Sequence, residues 1–394
     1  MSAPEHGYLL IADITGYTRF LKDSELEHAR GILEQLFAAL LHRLRSPFLL
    51  SNVQGDAILA YAGDSRVSDG KHVLDVVEGL YFAFAETLER MIQNTTCTCA
   101  ACSNIRNLDL KLVVHHGAYI EQAIGGRKEL GGPDVIIIHR LMKNSIVAST
   151  GIRAYAAFTE AAAAATGLAE YFAAATRHVE HTDEFGDVTL RVLDMQPAWE
   201  KHRSHRHAGI EAGDSQLFEE VAADLQMTPD RCWHYLTEPA LRGKFVPNVV
   251  NFTRNGTDRG RPGVGVVDHC AHGDGTVLVF NIVEWRPHEQ VSYRLGLPMG
   301  GSIPMTIALS PAPTGCHIVV RTGLPVGPNP IVQTLLRFIC RRQAPKIRAG
   351  WIDSFRKLAD LAKQDVAEGH VAEFTPALTP HAVKSAVDSR LAPA

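Results

Sequence analysis

The spacing of apolar residues changes near residue 200, and this change constrains the fold more than any other feature. In the first half, residues 25–44 carry leucine, alanine and phenylalanine on one helical stripe, flanked by short apolar strands. From residue 215 onward, short strands follow one another between a short first helix and a long last helix. A chain of 394 residues is also long for a single domain. We therefore predict two successive domains of the α+β class.

The predicted domain boundary lies in a basic, polar segment without an apolar period, which contains Lys201, His202, Arg203 and His205. The last residues of the chain are rich in alanine, proline and threonine and show no periodic pattern. We expect a first domain over residues 1–199, a linker over 200–212, a second domain over 213–366 and a flexible tail over 367–394.

Periodicity, turn residues and capping residues also locate the individual elements. In the first domain we expect helices over residues 25–44, 71–94 and 135–143, and strands over residues 8–14, 48–53, 57–61, 108–115, 118–123 and 188–195. In the second domain we expect a strand over 215–225, a helix that begins at Pro229 with Thr228 as its cap, strands over 249–254, 263–272, 276–286, 290–297, 302–310 and 316–323, and a helix over 331–364 that is kinked at Pro345.

Charge and cysteine content exclude several classes of protein. The formal net charge is −4, so no excess positive field attracts a nucleic-acid backbone. No window reaches the roughly 20 uninterrupted apolar residues of a spanning helix. The seven cysteines are odd in number, and three of them lie too close together to pair with one another. We expect a cytoplasmic protein without disulfides, without a membrane span and without nucleic acid as its main partner.

Two aspartates of the first domain follow apolar strands or turns. Asp13 closes the first strand and is followed by a glycine-containing turn, and Asp56 lies at the tip of the next hairpin. If the hairpin pairs beside the first strand, both carboxylates lie at one end of the sheet, an arrangement that suits metal ions clamping a triphosphate. Taken singly, each aspartate is more simply explained as a turn former, and only the context of the second aspartate favours a metal role.

Four segments of the first half resemble class III adenylate and guanylate cyclases, in the order of that family. They are LIADITGYT at residues 10–18, VQGDAILAY at 53–61, LVVHHG at 112–117 with Ile124-Gly125, and GPDVIIIHRL at 132–141. The resemblance covers roughly residues 7–195. It implies a ferredoxin-like fold, ATP or GTP as substrate, and a homodimer whose two sites lie across the interface.

The resemblance also implies roles for individual residues. Asp13, Asp56 and the carbonyl of Ile14 would hold Mg²⁺ or Mn²⁺. Arg140 would neutralise the charge that develops on the α-phosphate as the ribose 3′-hydroxyl attacks it and pyrophosphate leaves. The residues implied to bind the nucleotide are Thr15, Gly16, Tyr17, Thr18, Asn52 and Glu129.

Three of the corresponding positions depart from the family pattern. Asn52 and Glu129 stand where the family reads adenine with a lysine and an aspartate. Ile136 stands where the family orients the ribose with an asparagine, and its side chain forms no hydrogen bond. His139 and Lys143 lie one and two helical turns further along, where they either replace this contact or belong to a solvated helix face.

A cysteine cluster lies between the predicted second helix and the next strand. Cys97, Cys99 and Cys102 offer three thiolates for Zn²⁺, with His115 and His116 downstream. The CxCxxC spacing is not that of a standard zinc knuckle, and no fourth ligand can be assigned from the sequence. Zinc binding and three free loop thiols therefore both stay open.

The second half resembles the START-like hydrophobic-ligand superfamily, also called SRPBCC or polyketide-cyclase-like. The segments that carry the resemblance are TPDRCWHYLTEP at residues 228–239, GVG at 263–265, VEWRP at 283–287 and the long last helix. It implies a helix-grip fold with a cavity between the sheet and that helix. Candidates to face the interior are Phe245, Phe252, Phe280, Leu297, Met305, Leu335, Phe338 and Trp351.

Four polar residues of the second half could enter that cavity, namely Asp268, His269, His272 and Glu284. Solvent-facing strand positions explain them more simply, so we favour binding of an apolar small molecule over catalysis there. Taken together, the sequence indicates a divergent nucleotidyl cyclase-like protein whose C-terminal domain binds an apolar ligand. Regulation of the nucleotide domain by that ligand is a further hypothesis. The alternatives are a non-catalytic pseudo-cyclase and a polyketide cyclase or aromatase activity in the C-terminal domain.

Overall fold

The structure is a computed structural model, and it describes residues 3–44, 46–94, 97–124, 127–205, 209–211 and 213–367. The chain divides into two compact units, one extending to Lys201 and the other beginning at His202. The prediction of an α+β fold is confirmed in both units. Among the described residues, no helix combines the length and the apolar composition that crossing a membrane requires.

The N-terminal unit is built on one mixed sheet. Its strands are β1 (Glu5–Thr15), β2 (Leu49–Gln54), β3 (Ala57–Gly63), β4 (Asp109–Ile124), β5 (Arg127–Gly131), β6 (Tyr155–Thr159), β7 (Thr176–Thr182) and β8 (Gly186–Asp194). Its helices are α1 (Tyr17–Lys22), α2 (Leu26–Arg43), α3 (Lys71–Asn94), α4 (Ala100–Asn104), α5 (Pro133–Leu141), α6 (Ile146–Thr150), α7 (Glu160–Ala165), α8 (Ala169–Ala173) and α9 (Met195–Ser204).

Strand β1 lies at the centre of this sheet and is apolar on both faces. The strand order is β2-β3-β1-β4-β6-β8-β7, with β5 paired to the far end of β4. Because successive side chains alternate, Leu10 and Ala12 pack with α2 and α3 on one face, while Leu9 and Ile11 pack with α5 on the other. Asp13 continues the second of these series, so its side chain belongs to the α5 face near the end of the strand.

One predicted break in this sheet is absent. Residues 108–115 and 118–123 were expected to form two strands, whereas β4 runs without interruption from Asp109 to Ile124. Gly117 keeps a negative-φ or extended backbone, so no turn forms at this glycine. A β-carbon at Gly117 would lie 2.5 Å from Oδ2 of Asp134, so the glycine serves close packing of α5 on β4.

The C-terminal unit is built on an antiparallel sheet in the order β10-β11-β12-β13-β14-β15-β9. Its strands are β9 (Leu217–Leu225), β10 (Val249–Asn255), β11 (Val267–His272), β12 (Val277–Arg286), β13 (Gln290–Gly296), β14 (Ser302–Ala312) and β15 (Gly315–Gly323). Its helices are α10 (Pro229–Thr237), α11 (Pro239–Phe245) and α12 (Pro330–Ala367). The core between sheet and helices includes Trp233, Phe245, Tyr293, Phe355 and Leu358.

Several element boundaries agree with those predicted from the sequence, and others differ from them. Helix α3 has the predicted bounds, and the Thr228 hydroxyl caps α10 by accepting from the Arg231 amide at 3.2 Å. Pro345 lies inside the continuous helix α12. Helix α9 continues to Ser204, so the first part of the segment expected as a linker is helical. Strands β6 and β7 and helices α6 to α8 were not predicted. For α7 and α8 the reason is that the alanine-rich stretch between β6 and β7 carries little period.

Two expectations concern residues outside the described part of the chain. Residues 206–208 and 212 of the expected linker are not described, and neither are residues 368–394 of the expected tail.

Candidate functional site

Asp13 and Asp56 line the same cavity of the N-terminal unit, which has a volume of about 250 Å³. Strand pairing places Asp13 opposite Ala57 of β3 and opposite Lys111 of β4. Asp56 lies in the turn between β2 and β3, and its carbonyl accepts a hydrogen bond from the Ile14 amide at 3.1 Å. The complete lining is Ile11, Asp13, Asn52, Gln54, Asp56, Ala57, Leu59, Lys111, His139, Met142 and Lys143.

Lys111 places a positive charge beside this pair of carboxylates. Its Nζ lies 2.9 Å from Oδ2 of Asp13 and donates to the carbonyl of Met142 at 3.0 Å. Burial raises the pKa of Asp56, the negative charge of Asp13 raises it further, and Lys111 acts in the opposite direction. The sequence analysis missed Lys111; the register of β4 against β1 is what places it beside Asp13.

The donor set fits a hard divalent cation. Mg²⁺ and Mn²⁺ prefer oxygen ligands, and Mg²⁺ is commonly held by one or two carboxylates together with substrate phosphates. Asp13 and Asp56 provide such carboxylates on one cavity wall. Lys111 would compete with a cation for Asp13, so ion binding there must weaken the ion pair.

The two positions implied to read the base are in direct contact. Asn52 on β2 donates from Nδ2 to Oε2 of Glu129 on β5 at 3.0 Å, although 77 residues separate them. Asn52 lines the cavity, so this polar pair lies at its edge.

The predicted phosphate-binding turn lies outside that lining. Gly16 has φ of +86° and starts α1 without a side-chain cap. A β-carbon at Gly16 would lie 2.9 Å from the carbonyl oxygen of Asn107, so both conformation and packing require glycine. Thr15, Gly16, Tyr17 and Thr18 are described residues, and they do not belong to the cavity lining.

A hydrogen-bonded network fixes α5, which carries several predicted site residues. Asp134, in the first turn of α5, accepts from the Ala118 amide at 2.7 Å, and its Oδ1 lies 3.0 Å from Nε2 of His115. The Nδ1 of His115 lies 3.0 Å from the hydroxyl of Thr159. This buried histidine therefore serves to dock α5 on β4 and is not available to the cysteine cluster.

Helix α5 directs its predicted site residues to different places. His139 lines the cavity, and desolvation lowers the pKa of its imidazole. Lys143, just beyond the helix, also lines the cavity. Arg140 instead pairs with Glu184, and both side chains are about half exposed. Ile136 is also half exposed. The chain's own Arg140 and Ile136 therefore do not line the cavity that contains Asp13 and Asp56.

The three clustered cysteines lie beside a histidine that the sequence analysis did not consider. His28 on α2 has its Nδ1 3.1 Å from Sγ of Cys99 and 3.8 Å from Sγ of Cys97. Cys102 belongs to the same group of side chains. His116 instead has Nε2 2.9 Å from Oδ1 of Asp64, so neither histidine proposed downstream joins the cysteines. The prediction of reduced thiols is consistent with seven free cysteines.

The predicted interior residues of the C-terminal unit differ in burial, and Leu297 is partly buried. Phe245, Phe280 and Met305 are buried, and Phe252 and Trp351 pack against the same core while partly buried. Leu335 and Phe338 were predicted to face the interior, but they are 45% and 55% exposed. They occupy the solvent side of α12, because a helix of this length presents apolar residues on more than one face.

The guanidinium of Arg242 is buried among three of these aromatic rings. Its Cζ lies 5.7, 5.0 and 6.0 Å from the ring centres of Phe245, Phe252 and Phe280. Nη1 donates to the carbonyl of Leu236 at 2.8 Å. Among the described residues, Nε has no hydrogen-bond partner. The sequence analysis missed this cation, because nothing in its local pattern marks it as buried.

Asp268 and Glu284 correct the expectation of solvent-facing strand positions. Asp268 is 1% exposed and receives two hydrogen bonds from Arg254, at 2.7 and 2.8 Å. Glu284 is also buried, and its Oε2 accepts from Gln290 at 3.0 Å and from Ser292 at 3.1 Å. Burial with charged or polar partners explains both carboxylates as parts of the fold.

The two halves of the chain match different protein families. Residues 220–357 match the family described as polyketide cyclase / dehydrase and lipid transport. Residues 33–150 match a family described as a protein of unknown function (DUF2652). Over 100 residues, 25% of this chain, the sequence is 32% identical to an uncharacterized protein of Mycobacterium tuberculosis. The matching stretch spans 46% of that relative.

Solved structures that are similar to parts of the chain are also known. The guanylyl cyclase Cya2 is 13% identical, with 48% of this chain and 92% of that chain covered and a TM-score of 0.38. The adenylyl cyclase CyaB from P. aeruginosa is 12% identical, with 49% and 95% covered and a TM-score of 0.35. A protein of Mesorhizobium loti is 23% identical, with 37% and 96% covered and a TM-score of 0.29.

Proposed function

We propose that the N-terminal unit binds a purine nucleoside triphosphate with Mg²⁺ or Mn²⁺ and, as a homodimer, converts it to a cyclic nucleotide and pyrophosphate. The observation that carries the proposal is the convergence of Asp13, Asp56, Lys111 and Lys143 on one cavity. Two carboxylates beside two ammonium groups suit a ligand that consists of a cation and a polyphosphate.

Each cavity residue has a role in this proposal. Asp13 and Asp56 would hold the cation, which when bound lowers the charge of the phosphates and activates the attacking hydroxyl. Lys111, released from Asp13, and Lys143 would contact phosphate oxygens. Asn52 and Glu129 would present a donor and an acceptor to the edge of a purine.

The position of Arg140 argues for a second copy of the chain in the reaction. Arg140 is half exposed and lies outside the cavity of its own chain. In a homodimer, Arg140 of one protomer would neutralise the phosphate charge in the site of its partner, after release from Glu184.

The second candidate is a non-catalytic nucleotide-binding module, and one observation favours it. Ile136 occupies the position implied to orient the ribose, and its exposed aliphatic side chain offers no hydrogen bond. Without orientation of the 3′-hydroxyl, positioning contributes less to the rate of cyclisation.

A turnover assay with matched carboxylate variants tests these candidates. Purified full-length protein is incubated with Mn²⁺ and ATP or GTP, beside Asp13→Ala and beside Asp187→Ala, which removes an exposed surface carboxylate. Cyclic nucleotide formed by the wild type and by Asp187→Ala, but not by Asp13→Ala, supports the cyclase. Metal-dependent nucleotide binding without product, together with activity gained by Ile136→Asn, supports the non-catalytic module. Absence of metal-dependent binding contradicts both.

For the C-terminal unit we propose binding of an apolar small molecule that carries an acidic or carbonyl group. Support comes from the matched family, whose description includes lipid transport, and from Arg242 buried among aromatic rings. A buried guanidinium with an unused Nε–H is a donor for such a group.

Displacement of an environment-sensitive fluorophore measures this binding. We compare a long-chain fatty acid with its methyl ester and alkane counterparts, using the wild type and Arg242→Met. The acid should lose most of its affinity in the variant, whereas the alkane should not. Equal losses for all three would show that the variant merely disturbs packing and would contradict a role in recognition. Recovery of unaltered ligand distinguishes binding from polyketide cyclase or aromatase turnover.

A further inference from the structure

Four potential metal ligands from two distant segments converge at the surface of the N-terminal unit. They are His28 on α2 and Cys97, Cys99 and Cys102 around the start of α4, and their ligand atoms all lie within 4.8 Å of one another. The sequence left the fourth ligand open, and the fold brings His28 to the cysteines across 71 residues.

Two of the ligand–ligand distances in this cluster are close to those of a zinc tetrahedron. Bonds of about 2.3 Å to sulfur and about 2.0 Å to nitrogen place neighbouring ligands roughly 3.5–3.8 Å apart at tetrahedral angles. Nδ1 of His28 lies 3.1 Å from Sγ of Cys99 and 3.8 Å from Sγ of Cys97. Shifts of a few tenths of an ångström would therefore bring these two contacts to tetrahedral values, and the remaining ligand atoms lie within 4.8 Å of one another.

We propose that His28, Cys97, Cys99 and Cys102 form a structural Zn²⁺ site, with Nδ1 of His28 as the nitrogen ligand. Three sulfur ligands and one imidazole nitrogen form one of the ligand sets that zinc prefers in structural sites. Since all four positions are supplied by the chain, the site has no open position for water and serves structure rather than catalysis.

Surrounding hydrogen bonds already hold the cysteine segment against the start of α2. The carboxylate of Glu25 accepts from the amides of Ala100 at 3.2 Å and Ala101 at 3.0 Å. Asn104 donates from Nδ2 to the carbonyl of Asp23 at 3.2 Å. The Cys102 amide donates to Sγ of Cys99 at 3.4 Å, a contact that also orients the sulfur. Such supporting bonds around metal ligands fix their direction.

The site would stabilise the segment that leads into β4. This segment continues from Cys102 to Asn107, whose carbonyl packs against Gly16 at the end of β1. The next strand, β4, carries Lys111 opposite Asp13. Loss of the ion is therefore expected to loosen the chain near the carboxylate cavity, while the zinc proposal itself does not depend on what the cavity binds.

Metal analysis of the wild-type chain is the first test and does not depend on the folding of a variant. Full-length protein is purified under reducing conditions, supplied with Zn²⁺ and then freed of loosely bound ions by dialysis. We expect about one zinc per chain. After exchange to Co²⁺, we expect intense thiolate-to-cobalt charge-transfer bands. An ion held by His6, Asp64 and His116 would lack these bands, and such a result would overturn the assignment.

Thiol reactivity provides the second readout. The other four cysteines, Cys232, Cys270, Cys316 and Cys340, are buried in the C-terminal unit. Removal of zinc from the native protein should therefore expose three additional thiols to a thiol-specific reagent. A disulfide between two of the clustered cysteines that persists in reductant, or thiols equally reactive with and without zinc, would contradict the proposal.

Two substitutions and two matched controls assign the ligands. Cys99→Ser and His28→Ala should each weaken zinc binding at least tenfold in competition with a chromogenic chelator. Cys340→Ser, at a buried position of α12, and His181→Ala, at an exposed pair between β7 and β8, should retain one tightly bound zinc. Retention of wild-type affinity in Cys99→Ser or His28→Ala would refute the assigned ligand set.

Discussion

Each unit contains an aspartate on a strand that pairs with a basic residue of the neighbouring strand, and the two pairs differ in their surroundings. Asp13 and Lys111 are 2.9 Å apart, with 14% and 21% of their side chains exposed beside a cavity. Asp268 and Arg254 are 2.7 Å apart, with 1% and 9% exposed. Similar distances therefore accompany different access to solvent and ligands.

The two aspartates differ in the groups that surround their carboxylates. Asp268 uses both oxygens in a two-point contact with one guanidinium. Asp13 uses one oxygen for Lys111 and lies beside a second carboxylate, Asp56, whose pKa is raised by burial and by Asp13 itself. Short charge pairs alone do not mark a site, whereas a pair beside a second carboxylate and an adjacent cavity does.

The largest effect expected from this comparison is on the buried pair. Asp268→Asn should lower the free energy of unfolding of the C-terminal unit by about 3–5 kcal/mol, because it leaves a buried guanidinium without its counter-charge. Denaturant unfolding measures the change. Asp224→Asn, at an exposed pair with His317, serves as the control and should shift the curve little. A shift for Asp268→Asn as small as that of the control would contradict the contrast between the pairs.

The second effect concerns Lys111, whose ammonium group competes with a metal ion for the carboxylate of Asp13. Lys111→Met should tighten Mn²⁺ binding in the absence of nucleotide about tenfold, equivalent to about 1.4 kcal/mol, because the ion no longer displaces an ammonium group. Calorimetric titration of the full chain measures this affinity. Lys143→Met, which alters a cavity cation not paired with Asp13 in the described contacts, is the comparison. Weaker Mn²⁺ binding in Lys111→Met would show that Lys111 supports the ion instead of competing with it.

The third, smaller effect concerns stability and compares a helix that has a side-chain cap with one that does not. Thr228→Ala should destabilise the C-terminal unit by about 1 kcal/mol, because the Arg231 amide loses its side-chain acceptor. Thr228→Ser keeps the hydroxyl and should be nearly neutral in the same thermal or chemical denaturation experiment. In the N-terminal unit, Gly16 precedes α1 and provides no such side-chain cap, so the start of α1 depends on glycine conformation and packing instead. Equal stability of the alanine and serine variants would contradict a contribution from the cap.

The smallest expected effect is the change in folding stability with pH that the ionisation of Asp56 causes. Its raised pKa means that the folded chain keeps a proton that the unfolded chain releases near pH 4. The folded state therefore binds more protons in the range just above pH 4, and its stability should fall as pH rises through that range. Asp56→Asn lacks this titration, so the stability of the wild type relative to the variant should decline there. A relative stability that instead increases with pH would show a lowered pKa.

The same ionisation affects the proposed ligand with the opposite sign. Mn²⁺ requires ionised carboxylates, so its binding should strengthen as pH rises through the raised pKa of Asp56. Binding that is already maximal at the ordinary carboxyl pKa would argue against Asp56 as a ligand.

Much of the fold was predictable because its signals are local. The 24-residue helix α3 is apolar on a regular stripe, and Thr228-Pro229 marks the start of α10 by chemistry that acts within three residues. The break predicted within β4 failed because Gly117 looks like a turn residue, whereas it serves contact with Asp134. The distinction between a turning and a packing glycine depends on a residue that is distant in sequence.

The candidate sites were predictable only in part. From the sequence, Asp13 and Asp56 were predicted to share one metal site, and Cys97, Cys99 and Cys102 were recognised as a cluster. It did not identify Lys111 or His28, and it assigned Asp268 and Glu284 to solvent. Each of these features depends on strand register or on the packing of one element against another.

The sequence by itself determined many of the element types, the change of architecture between the halves and the chemical groups available. Helical periods, strand periods and capping residues depend on only a few neighbouring residues, so they can be recognised in the local sequence. Only the tertiary structure decided that Asn52 meets Glu129, that His28 joins the cysteines and that Arg140 lies outside its own cavity. A one-residue change of register reverses the face of a strand, so burial and partnership are properties of the assembled sheet.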